Sequence, residues 1–416
     1  MKNLNIITLL GCFLSGAVMA VPLGADVQGL LRYAKEHNPE LAAMRYEADA
    51  ASMRVQPAGA LPDPVLRTEL MDIANQGTNR QASLLPSGVA STRYYLIQSV
   101  PWFGRLELQS DVAKAQLAGA RGQIAATWAD LSSKIKAAYA MNYYLADSIR
   151  LTRETLDLTR HLEQIAQTRY ANGLGKQQEV IRVQLGMTDL QTRLLDLGNE
   201  QHHAHTRLNA LLARPANAEL AEPLQLRPLP VPARLTTLED SLRAHNPLLQ
   251  VADAGISVDA KRRDLAYKNR YPGFTLGVAP TQSGSTVKSW DLMVEFNIPL
   301  QQESRRSQEG EAEAQLLAST ARQASLLDQM LADLSESISG LALAQQTCQI
   351  ITARLLPQAE SSFQSSLSGY TTGKVDFSTL LDAQLQILKA RQQSIKSRYE
   401  AQLRLAEIER LIGEEL

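Results

Sequence analysis

The tripeptide His37-Asn38-Pro39 recurs as His245-Asn246-Pro247, and the same offset of 208 residues pairs Arg54 with Arg262 and Pro64 with Pro272. Val100-Pro101 answers to Ile298-Pro299 at 198, so the second copy is about ten residues shorter in one loop. Ala115-Gln116-Leu117 matches Ala314-Gln315-Leu316 at 199. Tyr170, Gly173 and Gln184 match Tyr370, Gly373 and Gln384 at 200, as do Leu208, Leu211 and Leu212 with Ile408, Leu411 and Ile412. A single triplet recurs by chance; an ordered series along a whole half does not, and the chain is a tandem duplication. The join falls in Pro223-Leu224-Gln225-Leu226-Arg227-Pro228-Leu229-Pro230-Val231-Pro232, whose prolines forbid helix and favour an extended link. The expected division is a leader at 1–20, a first repeat at 21–222, a Pro-rich linker at 223–234 and a second repeat at 235–416.

Each half predicts the same elements: an opening helix of about 30 residues, two short strands, a very long helix interrupted at a glycine, and a returning helix. The opening helices span roughly Asp26 to Val55 and Thr236 to Lys268. No proline occurs between Pro101 and Pro215, and beyond Pro299 only Pro357 does, marking a kink or a helix junction. Aromatics are only 5% of the 416 residues, which suits long helices packed through small side chains.

The strands alternate. In Trp290-Asp291-Leu292-Met293-Val294-Glu295-Phe296-Asn297-Ile298 every even position is apolar, and Phe274 to Ala279 sets large apolar residues against small ones. In the first copy Leu66, Thr68 and Leu70 oppose Arg67 and Glu69, while Tyr94 to Val100 alternates poorly. Such strands fit either a soluble sheet packed on the helices or part of a transmembrane barrel, with Tyr94, Tyr95 and Trp290 at the membrane interfaces. Four strands cannot close a membrane barrel, so the second alternative requires several chains to pool theirs; three chains supply twelve. Asn75 to Ala90 and the shorter Gln282 to Thr286 are then loops outside the barrel. After the leader no run of 18 apolar residues occurs, which excludes a membrane-crossing helix.

From Gly104 to Asn172 a continuous helix extends on the order of 100 Å and needs partner helices along its length. The last helix shows an expected seam with 4-3 spacing through Leu381, Leu385, Leu388, Gln392, Ile395, Tyr399, Gln402 and Ala406. Lys2, the apolar run Leu4 to Phe13 and Val18-Met19-Ala20 form an export signal cleaved after Ala20; Leu10-Gly11-Cys12 offers lipidation of Cys12 as the alternative. Cleavage would leave Cys348 as a lone thiol without a disulfide. The formal net charge of −1 gives no basic excess for nucleic acid.

Gln98-Ser99-Val100-Pro101-Trp102-Phe103-Gly104-Arg105 is similar to the strand-to-helix junction of the TolC-type outer membrane efflux proteins, in particular their heavy-metal branch of CzcC and CusC types. Tyr370-Thr371-Thr372-Gly373-Lys374-Val375-Asp376-Phe377, continuing to Gln384, is similar to the family's hairpin tip, and Tyr170-Ala171-Asn172-Gly173-Leu174-Gly175-Lys176 carries the first copy.

The resemblance implies a mostly α chain with a small β part. Three such chains would form a 12-stranded β-barrel in outer-membrane lipid, continuous with a periplasmic α-helical barrel. It implies an exported, non-enzymatic duct without cofactor, working with a periplasmic adaptor (membrane fusion) protein and an inner-membrane RND pump, and passing heavy-metal cations. By position it assigns Asp382, Glu179, Asp376, Arg182 and Lys374 to the periplasmic gate. Tyr170, Gly173, Gly175, Tyr370 and Gly373 would form the hairpin turns and the adaptor contact. Val375 stands where relatives carry a basic partner, so Arg182 or Lys374 would have to supply the gate's ion pair. The competing expectation is a periplasmic coiled-coil adaptor or scaffold that never enters the membrane, which leaves the alternating strands unexplained.

His202, His203 and His205 form the single histidine cluster; only His202 and His205 share a helix face, no third ligand is obvious there, and the cluster reads as a solvated surface. The nine methionines do not cluster, and no phosphate loop, nucleophile elbow or metalloprotease His-Glu pair occurs, so neither metal site nor catalysis is expected.

Overall fold

The structure is a computed structural model that describes residues 22–71, 91–230 and 235–416. The leader with Cys12 and Ala20, the whole Asn75–Ala90 loop (within 72–90) and the last residues of the linker (231–234) lie outside them. The first half holds α1 (Val27–His37), α2 (Pro39–Gly59), β1 (Val65–Met71), β2 (Ser91–Val100), α3 (Arg105–Ala171) and α4 (Gln177–Leu211). The second holds α5 (Leu235–His245), α6 (Pro247–Lys268), β3 (Phe274–Ser283), β4 (Thr286–Phe296), α7 (Gln302–Ile350), a π turn (Ile351–Leu355), α8 (Leu356–Thr371) and α9 (Phe377–Ile412). The repeated order is that of the duplication. The compact units are not the repeats, however: each draws segments from both halves.

The opening helix expected in each half is two helices, and the repeated Asn-Pro is the reason. Asn38 accepts from the backbone N–H groups of Glu40 (2.9 Å) and Leu41 (3.2 Å), and Asn246 from that of Leu249 (3.0 Å). Asparagine as N-cap followed by proline in the first turn starts a helix, because the cap supplies an acceptor and proline has no N–H to orphan. Asn246 also donates to the Leu411 carbonyl at 2.7 Å, tying α5 and α6 to the end of α9 over a core of Leu238, Leu242, Leu249, Leu334 and Leu411.

In the same unit the four strands form one antiparallel sheet in the order β1-β2-β3-β4, with β1 and β4 as open edges. The register puts Leu66, Leu96, Val278 and Leu292 in one row across all four strands, with Leu276 and Val294 beside them. That face is uncovered: Leu292 is 75% exposed and Trp290 70%. The opposite face carries Arg67, Glu69, Arg93, Tyr95, Asp291 and Glu295. There Arg93 donates to the Thr281 hydroxyl (3.0 Å) and to the Tyr95 hydroxyl (3.1 Å), and pairs with Asp291 at 3.4 Å. Tyr95 therefore departs from expectation. It lies on the polar face, while Tyr94 and Trp290 share the apolar one, because neighbouring residues on a strand point to opposite sides. The expected Gln282–Thr286 loop is a tight turn, with β3 running to Ser283 and Gly284 at φ +61°.

At the foot of the sheet Trp102 stacks on Tyr271 (5.0 Å between centroids) and Phe103 meets Phe274 (5.9 Å), so the Pro-Trp-Phe-Gly junction of one half packs on the second. Gly104 at φ +77° turns the chain from there into α3.

The long helices differ between halves. The α3 helix is unbroken for 67 residues, whereas its counterpart is α7, the π turn and α8. The repeat offset grows from 199 at Ala115/Ala314 to 200 at Tyr170/Tyr370, one extra residue. A π turn absorbs one residue and returns the helix to its former phase, so the turn is where the insertion went.

The expected seam of α9 is shifted. Gln402 and Ala406 are buried, but Leu385 is 49% exposed; the covered face runs through Leu380, Ala383, Gln384, Ala390, Ser397, Ala401 and Leu405. The shift places small and polar side chains inward, where helices approach closely, and leaves Leu385 and Gln392 outward.

Candidate functional site: the hairpin tips

The tips of the two helical hairpins lie together in the unit that holds α4 and α8, on a core of Leu162, Ala166, Val183, Phe363, Tyr370, Phe377, Leu380 and Ala383. Both turns have one backbone design. Gly173 (φ +69°) and Gly373 (φ +76°) take left-handed conformations that a side chain would strain. Their N–H groups reach the carbonyls of Tyr170 (3.0 Å) and Tyr370 (3.1 Å). The next residues, Leu174 and Lys374, donate to Arg169 and Gly369, each at 2.8 Å. These are helix-ending turns that satisfy the last carbonyls.

The side chains on this shared frame are exchanged. Arg169 in the first tip matches Gly369 in the second, and Gly175 matches Val375. Val375 occupies the space over Gly369, where an added Cβ would lie 2.5 Å from its Cγ2. Gly175 leaves the corresponding room for Arg169 and Glu179, which an added Cβ would meet at 3.2–3.3 Å. Gly175 thus lies in the hairpin turn and serves there as a gap, without the left-handed backbone of Gly173.

Arg169 uses that room to reach the second tip. Its guanidinium donates to the carbonyls of Tyr370 (2.8 Å) and Thr371 (3.1 Å), and to that of Leu174 (3.2 Å) in its own turn. It thereby caps α8, whose final carbonyls have no partner within the helix and attract a cation. The guanidinium also lies 4.7 Å from the Tyr370 ring centroid. Tyr370 donates its hydroxyl to Glu179 at 2.9 Å and packs on Phe377 at 5.1 Å. Burial first, and the Glu179 carboxylate second, push the Tyr370 phenol up to about 12. Further along, buried Gln384 donates to Thr159 at 2.8 Å, and Arg391 pairs with Glu154 (3.5 Å) and Glu360 (3.3 Å).

The structure brings Glu179 and Tyr370 together from the expected residues. Asp382, Asp376, Arg182 and Lys374 are exposed, and among the described residues none of them forms an ion pair within the chain. Within the chain, Glu179 is held by a phenol, and the cation beside it is Arg169. Arg169 went unnoticed in the sequence, although a basic residue in the last turn of a helix before a glycine turn was a usable signal. Tyr170 is exposed where its match Tyr370 is buried. Among the described residues no group of three metal-ligating side chains occurs, at His202, His203 and His205 or elsewhere.

One unit holds an open sheet with an uncovered apolar face, and the other a pair of helical-hairpin tips. The family model described as outer membrane efflux protein matches residues 30–214 and 238–414, and the chain belongs to that family. It is of the TolC type, as its tip and junction motifs imply. It is similar to the cobalt-zinc-cadmium resistance protein CzcC of Cupriavidus metallidurans, with 22% identity, covering 88% of this chain and 84% of that one. Among solved structures, the outer membrane protein VceC of Vibrio cholerae superposes with a TM-score of 0.78 at 17% identity, over 94% of this chain and 96% of that one. CusC superposes with a TM-score of 0.79 at 17% identity, over 93% and 92%.

Proposed function

We propose that this chain is one of three identical subunits of an outer-membrane exit duct in a tripartite efflux system. The carrying observation is the sheet: two open edges, an apolar face uncovered on all four strands and a charged face behind it. An edge left open in lipid costs several kcal/mol per unpaired group, so the strands need neighbours from other copies. Three chains supply twelve strands, enough to enclose a polar lumen. The helices carry the same message. Ile181, Leu185 and Leu195 are exposed, so the first hairpin keeps an apolar stripe for a second copy, and Leu385 is exposed on the second.

The tips form the periplasmic gate in this reading. Arg169, Tyr370 and Glu179 latch the two hairpins, while Asp382, with Asp376, Arg182 and Lys374, presents exposed charge that sets ion access. An adaptor and an inner-membrane RND pump docking at Tyr170, Gly173, Gly175 and Gly373 would release the latch. Heavy-metal cations are the proposed cargo, on the strength of CzcC alone, and the polar face passes them without catalysis or cofactor.

Heat-modifiable trimers in purified outer membranes, with single-channel conductance after reconstitution, are the expected result. Protein found wholly in the soluble periplasmic fraction would overturn the duct and favour a scaffold. Loss of zinc, cobalt or cadmium tolerance on deletion tests the cargo separately.

A further inference from the structure

We propose that the foot of the sheet binds phospholipid phosphates of the periplasm-facing leaflet, through Lys268 and Arg305 set beside a girdle of Trp102, Phe103 and Tyr271. The inference rests on the duct reading above and adds to it a lipid that the chain recognises by charge. The apolar face continues past the rows of leucine and valine. Phe274 and Phe296 face each other across β3 and β4, on the same side of the sheet as Leu276 and Val294. Phe103 meets Phe274 there, and Trp102 lies 5.8 Å from Phe103 while stacking on Tyr271 with 9° between the rings. Phe103, Tyr271, Phe296, Ile298 and Leu300 are all exposed. Rings that carry a polar atom settle where hydrocarbon gives way to headgroups, so Trp102 and Tyr271 mark that boundary.

The cations beyond the girdle are sorted by whether they have a counter-charge. Lys261 pairs with Asp111 (3.6 Å), Arg262 with Asp259 (3.5 Å), Arg263 with Asp264 (2.7 Å) and Arg270 with Glu309. Among the described residues, Lys268 and Arg305 have no carboxylate partner. Lys268 reaches the rings: its Nζ lies 5.8 Å from the Tyr271 centroid and 3.8 Å from where a side chain on Gly104 would begin. Arg305 donates to the carbonyl of Asn269, the residue after Lys268, which holds the two cations at one level. A lysine that lays its stem on an aromatic ring and keeps its ammonium beyond it suits the edge of a bilayer. The unpaired charges adjoin the apolar rings, so one molecule can meet both. Acyl chains would lie on Phe103, Phe274 and Phe296, and the phosphate would meet Lys268 and Arg305. A free anion would use only half of that surface.

The test titrates the purified trimer, in a neutral detergent, with a short-chain phosphatidylglycerol and with a diacylglycerol of the same chains, which lacks the phosphate. Phosphatidylglycerol is expected to bind at least about tenfold more tightly, and Lys268→Gln combined with Arg305→Gln to erase most of that preference. Lys268→Arg keeps the charge and is expected to retain it. A preference unchanged in the double variant overturns the proposal. Full displacement of the lipid by millimolar inorganic phosphate also overturns it, because the site would then be one for a soluble anion. A second measurement needs no variant and serves if the double variant fails to assemble. Raising salt from about 0.05 M to about 0.5 M is expected to weaken phosphatidylglycerol binding by about threefold or more and to spare the diacylglycerol. An equal response of the two lipids would count against the charge contact. Failure to form trimers at all would sink the duct reading, and this inference with it, before any lipid is added.

Discussion

The two hairpin tips began as the same sequence and still share a backbone: a glycine at φ +69° or +76°, the same pair of turn hydrogen bonds, and a helix starting four residues later. Their side chains have parted. The first tip holds Arg169 beside a glycine, the second a glycine beside Val375; Tyr170 is 48% exposed and Tyr370 2%. Duplication preserved what the turn needs and freed what projects from it, so one tip became the clamp and the other the clamped. A cation that caps a neighbour's helix needs an empty space beside its own, and Gly175 provides it.

The largest break in that comparison comes from the tyrosines. Tyr370→Ala removes a buried ring, the Glu179 bond and the surface on which Arg169 rests, and is expected to cost about 3–5 kcal/mol locally. Limited proteolysis of the tip and denaturant melting of the trimer would register it. Tyr170→Ala, on the exposed counterpart, is expected to stay within about 0.5 kcal/mol. Equal effects at the two sites would mean that the tips are still equivalent in solution.

Alkaline pH sharpens the same contrast. The Tyr370 phenol is pushed up to about 12, from an ordinary value near 10. A group whose folded pKa is raised contributes stability that is complete below the unfolded value and lost as pH rises through the folded one. The latch is therefore expected to hold below pH 10 and to weaken between about 10 and 12, as phenolate forms against Glu179. Ultraviolet titration of the trimer should show a late-ionising tyrosine that Tyr370→Phe removes; an unchanged curve would remove Tyr370 from the buried site.

How far the sequence carried follows from what its patterns rank. The duplication, the even-numbered apolar positions of β4 and the turn glycines are periodic or invariant between copies, and each was legible. The Asn-Pro pair was legible as a repeat and missed as a helix break, although asparagine followed by proline is a start signal in its own right. The seam of α9 was placed on its leucines, but the inward face is rich in Ala383, Ala390, Ser397 and Ala401, with Gln384 buried by its bond to Thr159. Hydropathy does not rank small side chains or a satisfied glutamine as core. Leu385 is left outward, and a second copy is the occupant that the duct proposal supplies. Arg169 was hidden for another reason: its partners are carbonyls of a turn 201 and 202 residues away, which carry no sequence signature.

The smallest expected effect lies at a matched pair that the latch does not use. Arg182 and Asp382 occupy equivalent positions, carry opposite charge, and are both exposed. In a trimer, three of each would alternate around the tips and largely cancel at a distance, so neither alone governs the field. Asp382→Ala is expected to lower cation over anion permeability by about twofold at low salt, and Arg182→Ala to raise it by a similar factor. Both shifts should fade near 1 M salt, where the screening length falls to about 3 Å. Changes of the same sign in the two variants would mean that the residues act by holding the tips closed and not by their charge. No change in either would place the ion-selective charges elsewhere, with Glu69 and Glu295 on the sheet's polar face as the next to substitute.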